Sequence, residues 1–201
     1  MRYTISHRMS VVTVAAVLAG LVGWLSAAEA QTVTGQASAV QATVLGATTM
    51  LSDTGTLGGS RDAREASQIA GSIPSLLTGE VLSAATIGYP DEVDSEASLG
   101  NLNLTVAGYG ISADLVMARA LSVVGSAGTG LTNIAGLTIG GVPMFPTGAP
   151  NQTLSFGVLS IVLNEQIPSA GGMTVNALHI KTLDGLTDVV IGSAKAGITP
   201  F

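Results

Sequence analysis

Turn-forming residues interrupt this sequence about every ten residues, and the segments between them have the composition of β-strands. Glycine, proline, asparagine and aspartate supply most of the interruptions, because they form tight turns or end strand pairing. This spacing predicts an all-β fold of short strands, arranged as a single antiparallel β-sandwich or a rolled β-architecture. A β-solenoid is the alternative, although the sequence contains no fixed repeat period that would support it.

The clearest strand signal lies at residues 101–106, where Leu102, Leu104 and Val106 alternate with polar residues. A period of two places the three apolar side chains on one buried face. The short glycine-containing connection at residues 108–110 then predicts a hairpin. Residues 116–124 are apolar at both parities, which is typical of a strand covered on both faces.

Two segments of the first half are less regular. Residues 62–69 predict either one or two helical turns, capped by Asp62, or an irregular loop. Residues 80–87 alternate as a strand does and should stop before Pro90, since proline removes a ladder donor. A charged loop is expected at residues 91–95.

Residues 1–30 have the organisation of a secretory signal peptide. A basic start at residues 2–8 precedes an apolar run at 11–25, and small residues precede a cleavage site after Ala30. We therefore expect a cleaved signal helix, followed by one exported β-domain at residues 31–201. A buried N-terminal helix or a retained membrane anchor is the alternative. The protein is expected to be secreted, extracellular or associated with the cell surface, and its composition suggests a bacterial source.

Composition excludes several classes of function. The chain has 13 acidic and 7 basic residues, and the basic ones are scattered, so no nucleic-acid partner is expected. No second apolar stretch reaches the length of a membrane span, so no integral membrane segment is expected after signal cleavage. The chain has no cysteine, which excludes thiol catalysis and cysteine-ligated zinc.

The single histidine of the expected mature chain, His179, is the obvious candidate for a catalytic base. Asp184 or Asp188 could orient it in a Ser-His-Asp triad. However, the sequence has no G-x-S-x-G motif, and His179 lies between Leu178 and Ile180 in a strand pattern. We therefore expect a histidine whose hydrogen bonds are satisfied within a strand, and we assign no catalytic residues.

Carboxylates supply the other candidate sites. Asp91, Glu92, Asp94 and Glu96 form the one dense acidic cluster, and oxygen ligands at this density could bind Ca²⁺. Their spacing matches no EF-hand loop, so a solvated acidic loop is the simpler interpretation. No other cofactor is expected.

A secreted hydrolase is a further alternative. Glu80, Asp114 and Glu165 are available as the paired carboxylates that glycoside hydrolysis requires. Aromatic residues make up only 3% of the chain, which argues against the stacking platform that sugar-binding surfaces usually present. The hydrolase is therefore the least favoured class.

The second half of the chain resembles the exported choice-of-anchor P family. The resemblance is carried by an ordered set of strand-like segments at residues 100–106, 110–120, 134–141, 163–166, 174–180 and 188–191. It implies an exported or surface-displayed β-domain without catalytic residues that could be transferred to this chain. The chain ends in Ile-Thr-Pro-Phe, without the sorting tail of that family, which favours a released or non-covalently held protein.

Together these features predict a non-enzymatic exported structural or interaction protein of the cell exterior. A β-module that binds a small ligand or calcium is the alternative. Alanine-rich strands of low charge can also pair edge to edge, so self-association or binding to cell-envelope partners is expected.

Overall fold

The structure is a computed structural model that describes residues 31–200. The predicted signal peptide, residues 1–30, lies outside the described residues, as does Phe201. Gln31–Pro200 form one compact unit. In this part of the chain the regular secondary structure is β-strand, and no helix is long and apolar enough to cross a membrane.

Thirteen strands follow one another, most of them joined by tight turns. Their bounds are β1 Val33–Val44, β2 Ala47–Asp53, β3 Ala63–Ile73, β4 Leu77–Gly88, β5 Glu92–Val106, β6 Tyr109–Val123, β7 Thr129–Ala135, β8 Thr138–Ile139, β9 Val142–Pro143, β10 Gln152–Phe156, β11 Leu159–Ser169, β12 Gly172–Thr182 and β13 Thr187–Ile198.

The strands form two antiparallel sheets that pack face to face. The first sheet has the order β10-β11-β12-β13-β1-β2, and the second has the order β3-β4-β5-β6-β8-β9, with β7 also paired to β6. The described chain is therefore an antiparallel β-sandwich, as the spacing of turns predicts. The β-solenoid alternative is wrong, because its coils pair in parallel and every pairing here is antiparallel.

Aliphatic side chains from both sheets fill the space between them. The predicted face of Leu102, Leu104 and Val106 is buried there. Small residues allow the sheets to approach each other closely. At Gly35 on β1, for example, a Cβ atom would overlap the side chain of Thr86 on β4 of the other sheet. At Gly79 on β4, a Cβ atom would overlap the side chain of Leu99 on β5, its neighbour in the same sheet.

The alternation of side chains inverts in the middle of several strands. In β12, the adjacent residues Ala177 and Leu178 are both fully buried, whereas a regular strand would place them on opposite faces. Val175 is buried on the N-terminal side of this point and Ile180 on the C-terminal side. Odd-numbered residues of β12 therefore face the core before the inversion, and even-numbered residues face it afterwards.

Left-handed residues on the neighbouring strands accompany this inversion. Asn164 of β11 and Gly192 of β13 lie opposite Ala177 in the register, and both have positive φ angles, 50° and 64°. A single left-handed residue turns the following peptide over, so the side chains beyond it change face. Because β12 also inverts, at Ala177, the residues Asn176 and His179, three positions apart, lie on the same outer face.

Three local predictions are wrong. The segment 62–69 forms neither helical turns nor an irregular loop, because residues Ala63–Ile73 pair with β4 along the whole strand. Those pairings outweigh the helix propensity of a segment too short to nucleate a helix. The charged loop at 91–95 is shorter than predicted, because β5 begins at Glu92. In β6, residues 116, 118, 120 and 122 are buried, whereas residues 117, 119, 121 and 123 are half-exposed or exposed, so one face alone is covered.

Candidate functional site

An acidic–histidine cluster lies on the outer face of the first sheet, where three adjacent strands each contribute one residue. Glu165 of β11 places Oε2 2.6 Å from Nδ1 of His179 on β12. Asp188 of β13 places Oδ1 2.9 Å from Nε2 of the same ring. The imidazole therefore bridges two carboxylates, one on each side of its own strand.

Asn176 and Ser193 extend this cluster. The Asn176 amide donates from Nδ2 to Glu165 Oε2 over 2.6 Å, and the Ser193 hydroxyl donates to Asn176 Oδ1 over 2.7 Å. Glu165, Asn176 and Ser193 are direct register partners on their three strands. His179 reaches the same carboxylate because the inversion at Ala177 turns its side chain to the outer face.

The electrostatics of the cluster favour a closed, mutually bonded arrangement. His179 is 8% exposed, and both of its ring nitrogens face carboxylate oxygens. Hydrogen bonds to carboxylate oxygens are charge-assisted and stronger than bonds between neutral groups. Lys181 adds a positive charge, with Nζ 3.6 Å from Asp188 Oδ2. The cluster thus links β11, β12 and β13 through side chains.

The cluster does not have the geometry of a Ser-His-Asp triad. A triad requires one ring nitrogen for the serine hydroxyl, and carboxylates bond both nitrogens of His179. Of the two aspartates that the sequence offers as orienting partners, Asp188 makes the contact. Asp184 lies in the β12–β13 turn, where it accepts the Leu186 N–H over 3.0 Å. Hydrogen bonds from the Thr182 hydroxyl and from that N–H lower the pKa of Asp184.

The acidic cluster at residues 91–96 is spread along a strand. Glu92, Asp94 and Glu96 are alternate residues of β5, and Asp91 precedes that strand. Arg119 donates from Nε to Asp94 Oδ1 over 2.9 Å, and its pKa is raised by the Asp94 hydrogen bonds and charge. A cation of the chain thus already bonds this carboxylate. In residues 31–200 no three acidic or histidine side chains are grouped in a way that could hold a metal ion. Calcium binding stays a prediction.

The three carboxylates considered for glycoside hydrolysis lie apart in the topology. Glu80 is on β4, where its Oε2 accepts the Asn101 amide over 2.7 Å. Asp114 is on β6, two strands away, and its carboxylate packs over Gly136. Glu165 belongs to the other sheet and to the cluster with His179. The fold therefore does not gather all three side chains at one place, since Glu165 lies on a different sheet from Glu80 and Asp114.

A groove of about 770 Å³ lies over one end of the second sheet. Five of its lining residues are register partners on five adjacent strands, so they form one straight row across the sheet. The row is Ser72 on β3, Thr78 on β4, Asn103 on β5, Ser112 on β6 and Thr138 on β8. We call this set the polar row.

Local sequence patterns do not reveal the polar row. The alternation at residues 101–106 correctly places Asn103 on the solvent face, but it does not indicate which residues of other strands lie beside it. That information is in the strand register. The signal available in the sequence is the occurrence of serine, threonine or asparagine at one outward position of each hairpin strand.

A smaller cavity of about 300 Å³ adjoins the groove and shares Ser72, Thr78 and Asn103 with it. Glu80 and Asn101 line its far end, where they are hydrogen-bonded to each other. The two cavities together follow the outer surface of β3, β4 and β5. One continuous depression, lined by polar and aliphatic residues, therefore extends over this face.

These surfaces define the protein as an antiparallel β-sandwich with a bonded charge cluster on one outer face and a polar groove on the other. In comparisons with known proteins, no family model, no curated protein and no solved structure matches the chain.

Proposed function

We propose that this protein is a non-enzymatic exported structural or interaction protein of the cell exterior, which associates with copies of itself through the free edge of β3. The observation that carries the proposal is β3 itself. This strand of 11 residues pairs with β4 on one side and, within residues 31–200, has no strand on the other. An unpaired edge of this length is a template for pairing with another chain.

The backbone of β3 presents hydrogen-bonding groups at this edge. The Gly88 N–H donates to the Asp62 carbonyl over 2.9 Å, so Asp62 and Gly88 form a hydrogen-bonded pair next to the strand. In an antiparallel ladder, bonded and non-bonded pairs alternate. Ala63, Glu65 and Ser67 therefore direct their N–H and C=O groups away from β4, toward the open side.

The side chains of β3 allow a second strand to approach. The strand contains neither proline nor lysine, the residues that commonly protect edges. Of its two charged residues, Arg64 is bonded to Asp62 over 2.9 Å, which leaves Glu65 as the uncompensated charge. Ile69 is 89% exposed in the middle of the strand, and Val81 on β4, next to it, is 69% exposed. Pairing between two copies would cover this apolar pair.

A binding role agrees with the hydrogen bonding of His179. The one histidine of residues 31–200 is occupied by two carboxylates, which suits a cross-strand link better than proton transfer to a substrate. Location at the cell exterior rests on the predicted signal peptide at residues 1–30. The resemblance to the choice-of-anchor P family supports the same role, and attachment to cell-envelope partners remains part of the proposal.

The test is the oligomeric state of the protein without its predicted signal peptide. Sedimentation velocity at increasing concentration is expected to show reversible association of the wild type. Ser67→Pro and Ile69→Lys should give monomers at the same concentrations, because one removes an edge donor and the other adds a charge.

Leu131→Lys is the matched control. It changes an aliphatic residue on β7 that is 57% exposed, away from the β3 edge, and should associate as the wild type does. A wild type that remains monomeric, or association that survives both β3 substitutions, would contradict the proposal.

A second candidate function is favoured by the groove over the second sheet. Its volume lies in the range of small-molecule sites, roughly 300–1,000 Å³, and its polar side chains converge on one face. Binding of a small ligand is thus the alternative to assembly as the main role.

A further inference from the structure

We infer that the groove over the second sheet is a binding site for an uncharged, polyhydroxylated chain, namely a segment of a neutral polysaccharide. This inference concerns the polar row and does not depend on association through β3. It assigns a ligand class to a surface to which the sequence assigned none.

The geometry of the polar row suits a linear ligand. Neighbouring strands lie about 4.8 Å apart, so five register partners on five adjacent strands span about 19 Å. The row runs across the strands. A peptide that adds to a sheet binds along an edge and parallel to the strands, so this direction favours a chain recognised through its own side groups.

The chemistry of the row selects an uncharged partner. Hydroxyl and amide side chains both donate and accept hydrogen bonds, as the hydroxyl groups of a sugar do. Ser112 and Thr138 show this dual capacity, since their hydroxyls share a hydrogen bond of 2.7 Å in which either oxygen can donate. None of the residues that line the groove is charged. An anionic ligand would therefore find no compensating charge here.

The walls of the groove leave its ends open. The β3–β4 turn at residues 74–76 forms one side, and Gly141 lies on another. Gly110 on β6 contributes backbone without a side chain, and the space above it is free of other atoms. The adjoining cavity continues the depression toward Glu80 and Asn101. A chain longer than the groove can thus pass through it.

Weak binding to one copy is expected. The groove has no aromatic side chain among its lining residues, and each hydrogen bond exchanged with water contributes about 1 kcal/mol. A few such bonds give a dissociation constant on the order of 1 mM. Several copies acting on one polysaccharide would bind more tightly through effective concentration.

The test is a titration of the isotopically labelled protein, without the predicted signal peptide, followed by amide chemical shifts. The probes are neutral cello-, malto- and manno-oligosaccharides, with an oligogalacturonate as the charged comparison. At least one neutral probe is expected to shift resonances of β3, β4, β5, β6 and β8, and the charged probe is expected to bind at least tenfold more weakly.

Substitutions in the polar row test whether the oligosaccharide binds there. Thr78→Val keeps the shape of the side chain, and Asn103→Ala removes the central amide; each should weaken binding at least fivefold without lowering the melting temperature appreciably. Thr153→Val on β10, an exposed threonine of the other sheet, is the control and should bind as the wild type does.

The inference is overturned if no neutral probe binds at 20 mM, if the oligogalacturonate binds as well as the neutral chains, or if the shifts lie on the first sheet. The oligomeric state is measured in a separate experiment. A negative result in this titration therefore does not bear on the proposed association through β3.

Discussion

The Glu165 carboxylate and the His179 imidazole meet at 2.6 Å, although neither residue is the register partner of the other. In the ladder, Glu165 faces Asn176 and His179 faces Val162. The two side chains meet because the strands invert their alternation between these positions. The contact therefore depends on backbone geometry at the residues between them as well as on the two side chains.

Glu165→Gln is expected to lower the free energy of unfolding by about 1.5–3 kcal/mol, because it removes the charge from a part-buried acceptor of two hydrogen bonds. Chemical denaturation at neutral pH measures the change. Glu80→Gln is the matched control, since Glu80 accepts a single exposed bond from Asn101 and should change stability little. Equal stability of Glu165→Gln and the wild type would show that the cluster does not stabilise the fold.

The pKa of Asp62 is lowered by the Gly58 N–H, which donates over 2.7 Å, and then by Arg64. A carboxylate whose pKa is lowered in the folded state adds stability at pH values above its unfolded pKa, and this contribution is lost as pH falls through the folded pKa. Asp62→Asn should therefore melt below the wild type at pH 7, with a difference that shrinks as the pH falls through the folded pKa of Asp62. Thermal melts across this range measure it. A difference in melting temperature that did not change with pH would show that ionisation of Asp62 does not contribute to stability.

Gly79 and Gly110 offer a matched pair of glycine substitutions. An added Cβ would overlap Leu99 at Gly79, whereas at Gly110 it would meet open space. Gly79→Ala should destabilise the protein by about 1–3 kcal/mol through overpacking, and Gly110→Ala should change stability by less than about 0.5 kcal/mol. Urea denaturation distinguishes them. Similar effects at both positions would mean that the Leu99 side chain moves to accommodate the extra atom.

Val81 has a φ angle of 50°, which is unfavourable for a β-branched residue. Val81→Gly is expected to raise stability by about 1 kcal/mol, because glycine adopts the left-handed conformation without steric cost. Val142→Gly is the control, as it removes another exposed valine and should lower stability. Calorimetric melting at a concentration where the protein is monomeric compares them. Destabilisation by Val81→Gly would indicate that the valine side chain contributes packing that outweighs its strain.

The all-β fold follows from local features of the sequence. Strict alternation at Leu102, Leu104 and Val106 correctly identifies a buried strand face, and the glycine-containing turn after it correctly predicts the hairpin. Such patterns are informative because side-chain direction in a regular strand depends only on the residue itself and its immediate neighbours. Segment 62–69 was predicted wrongly because its strand conformation depends on β4, with which it pairs.

The candidate site depended on information that local patterns do not contain. A period of two places Asn176 and His179 on opposite faces, yet the structure places both on the outer face, because the chain inverts at Ala177. Left-handed backbone at Asn164 and Gly192, on the strands at either side, accompanies that inversion. No property of residues 176–179 alone indicates it.

Turn chemistry and alternation were thus sufficient to establish extended strands, tight connections and a layered antiparallel architecture. The partners of His179 and the members of the polar row were decided by strand order and register. The physical reason is that these groupings join residues far apart in the chain, and the cross-strand hydrogen bonds that align them form only when the sheets assemble.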